Sequence, residues 1–188
     1  MEFSMNTPNV LTLIRVVLVP VFMWALLSQF YIAAIIIFVI ASFTDHLDGY
    51  LARKNNQVTT FGKLMDPLAD KILTIAALVC LCGMNADFVT PAVVMVIIAR
   101  ELIVTGVRQL AMGEKTVIAA SWWGKAKTVS QMAAIIFVMV DLAFPNTFRF
   151  NSEIWGAPSF WLVTLSVVLT VYSGLDYIVK NRNLITFK

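Results

Sequence analysis

The sequence predicts an all-α, polytopic membrane protein of six transmembrane helices, on three observations. Of its 188 residues, 60% are hydrophobic and only 13% charged, with a mean hydropathy of +0.83, whereas a soluble chain is roughly 25% charged. Six apolar stretches each approach the length of about 20 residues that a helix needs to cross a hydrocarbon core of about 30 Å. Lys and Arg gather on alternate connections between those stretches. Disorder, collagen, disulfide scaffolds and most soluble folds are thereby excluded. Residues 1–188 suit a single integral-membrane catalytic domain, because no Ser/Gly-rich or Pro-rich linker divides them. Met1-Glu2-Phe3-Ser4 reads as a remnant ahead of a natural start at Met5.

The six segments are Val10 to Leu27, Phe30 to about Tyr50, Lys63 to Cys82, Val89 to Arg108, Thr128 to Phe144, and Ser159 to Val179. Backbone polar groups cannot be left exposed to lipid, so each is expected to be helical. The first is followed directly by another apolar segment and by no small-residue cleavage site, so it is not read as a signal peptide. Orientation follows from the basic residues, which short loops retain on the cytosolic side. Arg53, Lys54 and Lys63 lie between segments two and three; Lys115, Lys125 and Lys127 lie between four and five, with Arg108 at the edge; Lys180, Arg182 and Lys188 close the chain. The opposite connections contain only Arg149. Both termini are therefore expected in the cytosol. No long period of self-similarity supports a repeat-built transporter.

Segment two holds the first sign of chemistry. Phe30 to Phe43 is uncharged and covers only about 21 Å at 1.5 Å per residue, so the helix must continue through Asp45 and Asp48 to finish crossing. Segment three enters from the same side with Gly62-Lys63-Leu64-Met65-Asp66-Pro67-Leu68-Ala69-Asp70. Asp45 and Asp48 are spaced i,i+3 and Asp66 and Asp70 i,i+4, so each pair shares a helix face. Four carboxylates at similar depth repel one another unless a cation lies among them. An all-oxygen donor set selects a hard cation such as Mg²⁺ or Mn²⁺, and two such ions can clamp a phosphoryl group. The plainer reading makes the acids helix caps or loop charges; Asp66 before Pro67 has the form of an N-cap followed by proline at the first helical position. Four intramembrane acids at this spacing favour a functional site over that reading.

Asp45-x-x-Asp48-Gly49-x-x-Ala52-Arg53, then eight residues, then Gly62-x-x-x-Asp66-x-x-x-Asp70, resembles the signature of the CDP-alcohol phosphatidyltransferases and matches it at each fixed position. The resemblance implies six helices around a polar cavity open to the cytosol, and a homodimer. It implies that Asp45, Asp48, Asp66 and Asp70 bind two Mg²⁺ or Mn²⁺ ions and that Asp70 also acts as general base on the acceptor hydroxyl. It further implies that Asp48, Gly49, Ala52, Arg53 and Gly62 hold the CDP part of CDP-diacylglycerol. The residue chemistry agrees: Gly49 and Gly62 let a nucleotide approach the backbone, Ala52 keeps one turn thin, and the guanidinium of Arg53 matches a diphosphate.

The family uses several acceptor alcohols, and an anionic one needs cations. Segment four contains Arg100-Glu101, roughly 16 Å from its start at Val89 by helix rise, a depth at which charges need a reason. Either both pair with groups on neighbouring helices, or Arg100 and Arg108, with Lys125 and Lys127, bind the acceptor's phosphate. The runs Asn6 to Arg15, Phe61-Gly62-Lys63, Ala99 to Arg108 and Gly124 to Thr128 resemble the bacterial phosphatidylglycerophosphate synthases within the family. That resemblance implies transfer of a phosphatidyl group from CDP-diacylglycerol to sn-glycerol 3-phosphate, on the phosphatidylglycerol and cardiolipin route, in a bacterial inner membrane. It covers most of Asn6 to Thr128; the last two helices are generic.

Alternatives remain open at this point. The same chemistry can take inositol phosphate or phosphatidylglycerol. A cation transporter would spread its acids across the bilayer, and it gives Gly49, Ala52, Arg53 and Gly62 no role. Metal-dependent prenyltransferases are expected to be longer. No nucleic-acid role is implied. Cys80 and Cys82 lie too near in one helix to be bridged and read as packing residues. His46 occupies a variable motif position and reads as a bystander. Trp24, Trp122, Trp123, Trp155 and Trp161 read as an aromatic belt, and the Met-rich stretches as packing.

Overall fold

The structure is a computed structural model that describes residues 7–54, 60–84, 86, 88–113, 121–145, 147 and 156–182. Within these ranges the side chains of residues 7–12, 45–54, 60–70, 110 and 112–113 lie outside the description. The described residues form six helices and no strand: α1 Thr7–Leu27, α2 Tyr31–Lys54, α3 Thr60–Gly83, α4 Pro91–Gly113, α5 Trp122–Ala143 and α6 Pro158–Lys180. The shortest, α1, has 21 residues, about 32 Å at 1.5 Å per residue, so all six have spanning length. By composition as well as length, α5 and α6 are apolar enough to cross a membrane. The described apolar stretches of the first three helices are shorter, Leu13–Leu27, Tyr31–Thr44 and Lys71–Gly83, and α4 carries Arg100, Glu101 and Arg108 along its length.

Two compact units are present, Met1–Cys80 and Leu81–Lys188. In the first, α1 buries Val19, Phe22 and Leu26, and α2 buries Ala34, Phe38 and Ala41. These positions recur at intervals of three and four residues, the period of one helix face. Phe22 meets Phe38 with ring centroids 5.7 Å apart, and the alanines let the helix backbones approach. The turn between α1 and α2 is tight. Phe30 N donates to Ala25 O at 2.9 Å and Gln29 N to Leu26 O at 3.0 Å, the paired bonds of a Schellman motif. Gln29, at φ 64°, takes the left-handed position that glycine usually fills.

The second unit is organised by α6. Its buried face reads Ser159, Val163, Ser166, Thr170, Ser173, Gly174 and Tyr177, a stripe of mostly small residues at steps of three and four, with Gly174 beside Ser173. Small residues on one face allow close helix contact where lipid gives no hydrophobic drive between helices. This face packs on α5 and α4. Ala157 precedes Pro158 at the start of α6, where a missing N–H costs nothing. Helix α5 begins at Trp122, six residues ahead of the expected Thr128, because Ser121 caps it: its side chain accepts from Gly124 N at 3.1 Å, an interaction that contributes about 1 kcal/mol. Trp123 then packs edge-on against Tyr172 of α6 at 5.0 Å. At its far end α4 runs to Gly113, five residues beyond the expected Arg108. The free cysteines fit their expected packing role, Cys80 being buried and Cys82 half-buried.

Candidate functional site

The acidic motif occupies the end of α2 and the start of α3. Helix α2 continues without a break through Asp45, Asp48, Gly49, Ala52 and Arg53 to Lys54, as the uncharged run before them requires. Helix α3 begins at Thr60, so Gly62, Asp66 and Asp70 all lie within it. Asp66 follows the helix start by six residues and Pro67 by seven, which removes the capping explanation for Asp66. The side chains of Asp45, His46, Asp48, Ala52, Arg53, Asp66 and Asp70, and the surroundings of Gly49 and Gly62, lie outside the described residues, as do residues 1–4, Met5, Asn6, Lys115, Arg149, Trp155 and Lys188. Among the described residues, no three His, Cys, Asp or Glu side chains gather to hold a metal. The chemistry of the motif itself, four carboxylates in two helical pairs, is the donor set that a hard divalent cation takes.

The cations expected at the acceptor are described in the second unit. Arg100 and Glu101 sit near the middle of α4, and Glu101 is buried. Arg100 Nη1 donates to Glu101 Oε1 at 3.0 Å. The same oxygen accepts from Lys127 Nζ of α5, whose side chain is only 2% exposed. On its other side, Arg100 Nη2 donates to Ser173 Oγ of α6 at 3.0 Å, and Ser173 Oγ in turn donates to Thr170 O at 3.3 Å. Arg100 Nε is buried with no hydrogen-bond partner among the described residues. Groups from three helices thus meet around the adjacent pair Arg100 and Glu101.

Glycines make room for it. A Cβ on Gly174 would stand 3.0 Å from Arg100 Cγ, and one on Gly124 would stand 3.8 Å from Arg100 Nη2. The first contact is with the middle of the side-chain stem, which has less freedom to swing aside than the guanidinium. Gly174→Ala is therefore expected to overpack the site at a cost of about 1 to 3 kcal/mol, read as a lower unfolding midpoint of the purified protein in denaturant.

The remaining expected cations are placed differently. Arg108, exposed and eight residues beyond Arg100 on α4, lies with its Cζ 5.9 Å from the centroid of the Tyr177 ring on α6, a cation–π arrangement. Tyr177 is buried against Val104 and Val107, and its hydroxyl has no partner among the described residues. Lys125 is exposed. Arg100 and Lys127 are thus brought together by Glu101, while Arg108 and Lys125 take no part in that cluster.

Ser173 and Gly174 were not foreseen as site residues, since the last helices read as generic. A signal was present: Ser159, Ser166, Thr170 and Ser173 recur at steps of seven, four and three along an otherwise apolar helix, which marks a face turned toward protein.

The chain matches the CDP-alcohol phosphatidyltransferase family model over residues 5–172. It is 41% identical over 191 residues to a Bacillus subtilis protein named CDP-diacylglycerol--glycerol-3-phosphate 3-phosphatidyltransferase, covering 94% of this chain and 95% of the relative. A Haemophilus influenzae protein of the same name is 39% identical, with 92% of this chain and 91% of the relative covered. One from Escherichia coli K12 is 38% identical, with 94% and 95% covered.

Proposed function

The chain belongs to the CDP-alcohol phosphatidyltransferase family, and from that premise we propose that it transfers the phosphatidyl group of CDP-diacylglycerol to sn-glycerol 3-phosphate, giving phosphatidylglycerophosphate and CMP. It is an enzyme and a transferase. The observation that carries the acceptor is the agreement of three relatives, each matched over more than nine-tenths of its length, in a single printed activity. The cluster of Arg100, Glu101 and Lys127 supports the same reading, because an acceptor bearing a phosphate needs basic groups that an uncharged alcohol does not.

Each group then has a definite task. Arg53 grips the donor's diphosphate with its planar fork, and Gly49, Ala52 and Gly62 keep the backbone open to the cytidine nucleotide. Asp45, Asp48, Asp66 and Asp70 would hold two Mg²⁺ or Mn²⁺ ions, which supply charge neutralisation at the diphosphate. Asp70 accepts the proton of the acceptor hydroxyl. The freed oxygen forms a bond to the β-phosphorus of the CDP-lipid while the bond from that phosphorus to the bridging oxygen breaks, and the electron pair leaves with CMP. Arg100 and Lys127 hold the acceptor's phosphate, with Arg108 and Lys125 as further basic groups.

The reading includes a single catalytic domain of six spanning helices around a cavity open to the cytosol, with both termini cytosolic, in a bacterial inner membrane and as a homodimer. Six helices of spanning length and the basic residues on alternate connections support the topology. Family resemblance supports the cavity and the dimer.

The test is CMP release by the purified full chain from CDP-diacylglycerol with Mg²⁺, comparing glycerol 3-phosphate, inositol phosphate, phosphatidylglycerol and no acceptor. Release that requires glycerol 3-phosphate is expected. Release with another acceptor alone would keep the chemistry and overturn the acceptor.

A further inference from the structure

Glu101 is an odd residue to find beside a phosphate. Its negative charge opposes an arriving anion, and yet its carboxylate is buried and bonded to both Arg100 and Lys127. Within this trio there is one more positive charge than negative. A carboxylate here lowers the local positive potential, so any benefit to phosphate binding has to come from geometry. The geometry is specific. Glu101 Oε1 receives the Nη1 edge of Arg100, Ser173 Oγ receives Nη2, and Gly174 leaves the space in which the stem lies. With both terminal nitrogens held, the orientation of the guanidinium plane is fixed, and Nε is left unpartnered among the described residues. The same oxygen tethers the ammonium of Lys127, a flexible point charge that would otherwise have many rotamers.

We propose that Glu101 is a positioning residue for the acceptor's phosphate, holding Arg100 and Lys127 in a fixed arrangement at the expense of some electrostatic attraction. This rests on the assignment of the acceptor phosphate to Arg100 and Lys127. A positioning role and a purely electrostatic one predict opposite signs. Removing the charge of Glu101 makes the trio more positive, which by charge alone tightens phosphate binding. Loss of positioning weakens it.

The experiment measures KM for glycerol 3-phosphate, KM for CDP-diacylglycerol and kcat for the full-length protein and for Glu101→Gln, Glu101→Asp and Arg100→Ala. Glu101→Gln is expected to raise KM for glycerol 3-phosphate about tenfold while kcat and the donor KM stay within about threefold, and Glu101→Asp to raise it less. An unchanged or lower acceptor KM in Glu101→Gln, with Arg100→Ala still raising it, overturns the proposal and leaves the acceptor site standing. A parallel rise of both KM values, or a loss confined to kcat, also overturns it. An acceptor KM unmoved by Arg100→Ala overturns the underlying assignment of the phosphate instead. Because Glu101→Gln leaves the half-buried Arg100 and the buried Lys127 without their shared carboxylate, it can fail to fold. Glu101→Asp then decides alone, since it keeps the charge and withdraws the carboxylate by one methylene: a raised acceptor KM supports positioning, and an unchanged one overturns it.

Discussion

Asp66→Ala is expected to lower CMP release by about a thousandfold or more with every acceptor, even at saturating glycerol 3-phosphate. The size follows from what the four aspartates must do together. A diphosphate cannot be approached by a carboxylate and an incoming oxygen unless its charge is neutralised, and a hard cation held by too few oxygens does not stay. The position of Asp66 makes the test clean. It stands six residues inside α3, so its removal takes away no helix cap and relieves repulsion among the acids. Stability in the absence of divalent cation should therefore hold or rise. Conversely, Mg²⁺ should raise the melting temperature of the wild-type protein by mass action and fail to raise that of the variant. Thermal unfolding with and without Mg²⁺, run beside the CMP assay, checks both halves. Activity within about tenfold of wild type would sink the metal assignment.

The second large effect is expected at Arg100. Arg100→Ala should lower kcat/KM for glycerol 3-phosphate about a hundredfold to a thousandfold, with the KM for CDP-diacylglycerol little changed, the range set by truncating one partner of a buried, hydrogen-bonded charge contact. The protein should still fold, because Glu101 keeps Lys127 as its partner when the arginine is gone. Charge counting explains the selectivity. Arg100→Ala removes one positive charge and a planar donor from the acceptor side, and leaves Arg53 to grip the donor's diphosphate. Arg100→Lys should recover only part of the loss, since an ammonium cannot engage Glu101 and Ser173 along two edges at once. Steady-state kinetics in each substrate separately reads this out, and a defect shared equally between donor and acceptor would contradict it.

The helices themselves were legible in the sequence because an apolar run of bilayer length has few alternatives. Their ends were less so. The start of α5 was hidden by Trp122-Trp123-Gly124-Lys125, which reads as interfacial polar chain until the bond from Gly124 N to Ser121 Oγ is seen. The extension of α2 through Asp48 followed from length alone, and the structure carries the helix on to Lys54. At the candidate site, Arg100 and Glu101 announced themselves by being charged in mid-helix, and the adjacent pair could be named from sequence. What joins them to α5 and α6 could not. Lys127 lies 26 residues from Glu101 and Ser173 lies 73 from Arg100, separations at which no local periodicity carries information. The opening left by Gly174 is equally invisible in one dimension, since nothing in the sequence of α6 states which side chain from another helix will fill it.

The turn after α1 bears on how the chain enters a bilayer. Ser28 and Gln29 carry no charge, and the backbone amides of Ser28, Gln29 and Phe30 donate back into α1. In the proposed topology this turn is the part that must be carried across. Little polar surface therefore has to be dehydrated in transit, and the faces of α1 and α2 that cover each other need not wait for later helices. The two can be inserted together as one helical hairpin, committed before the acidic end of α2 has to find its partners.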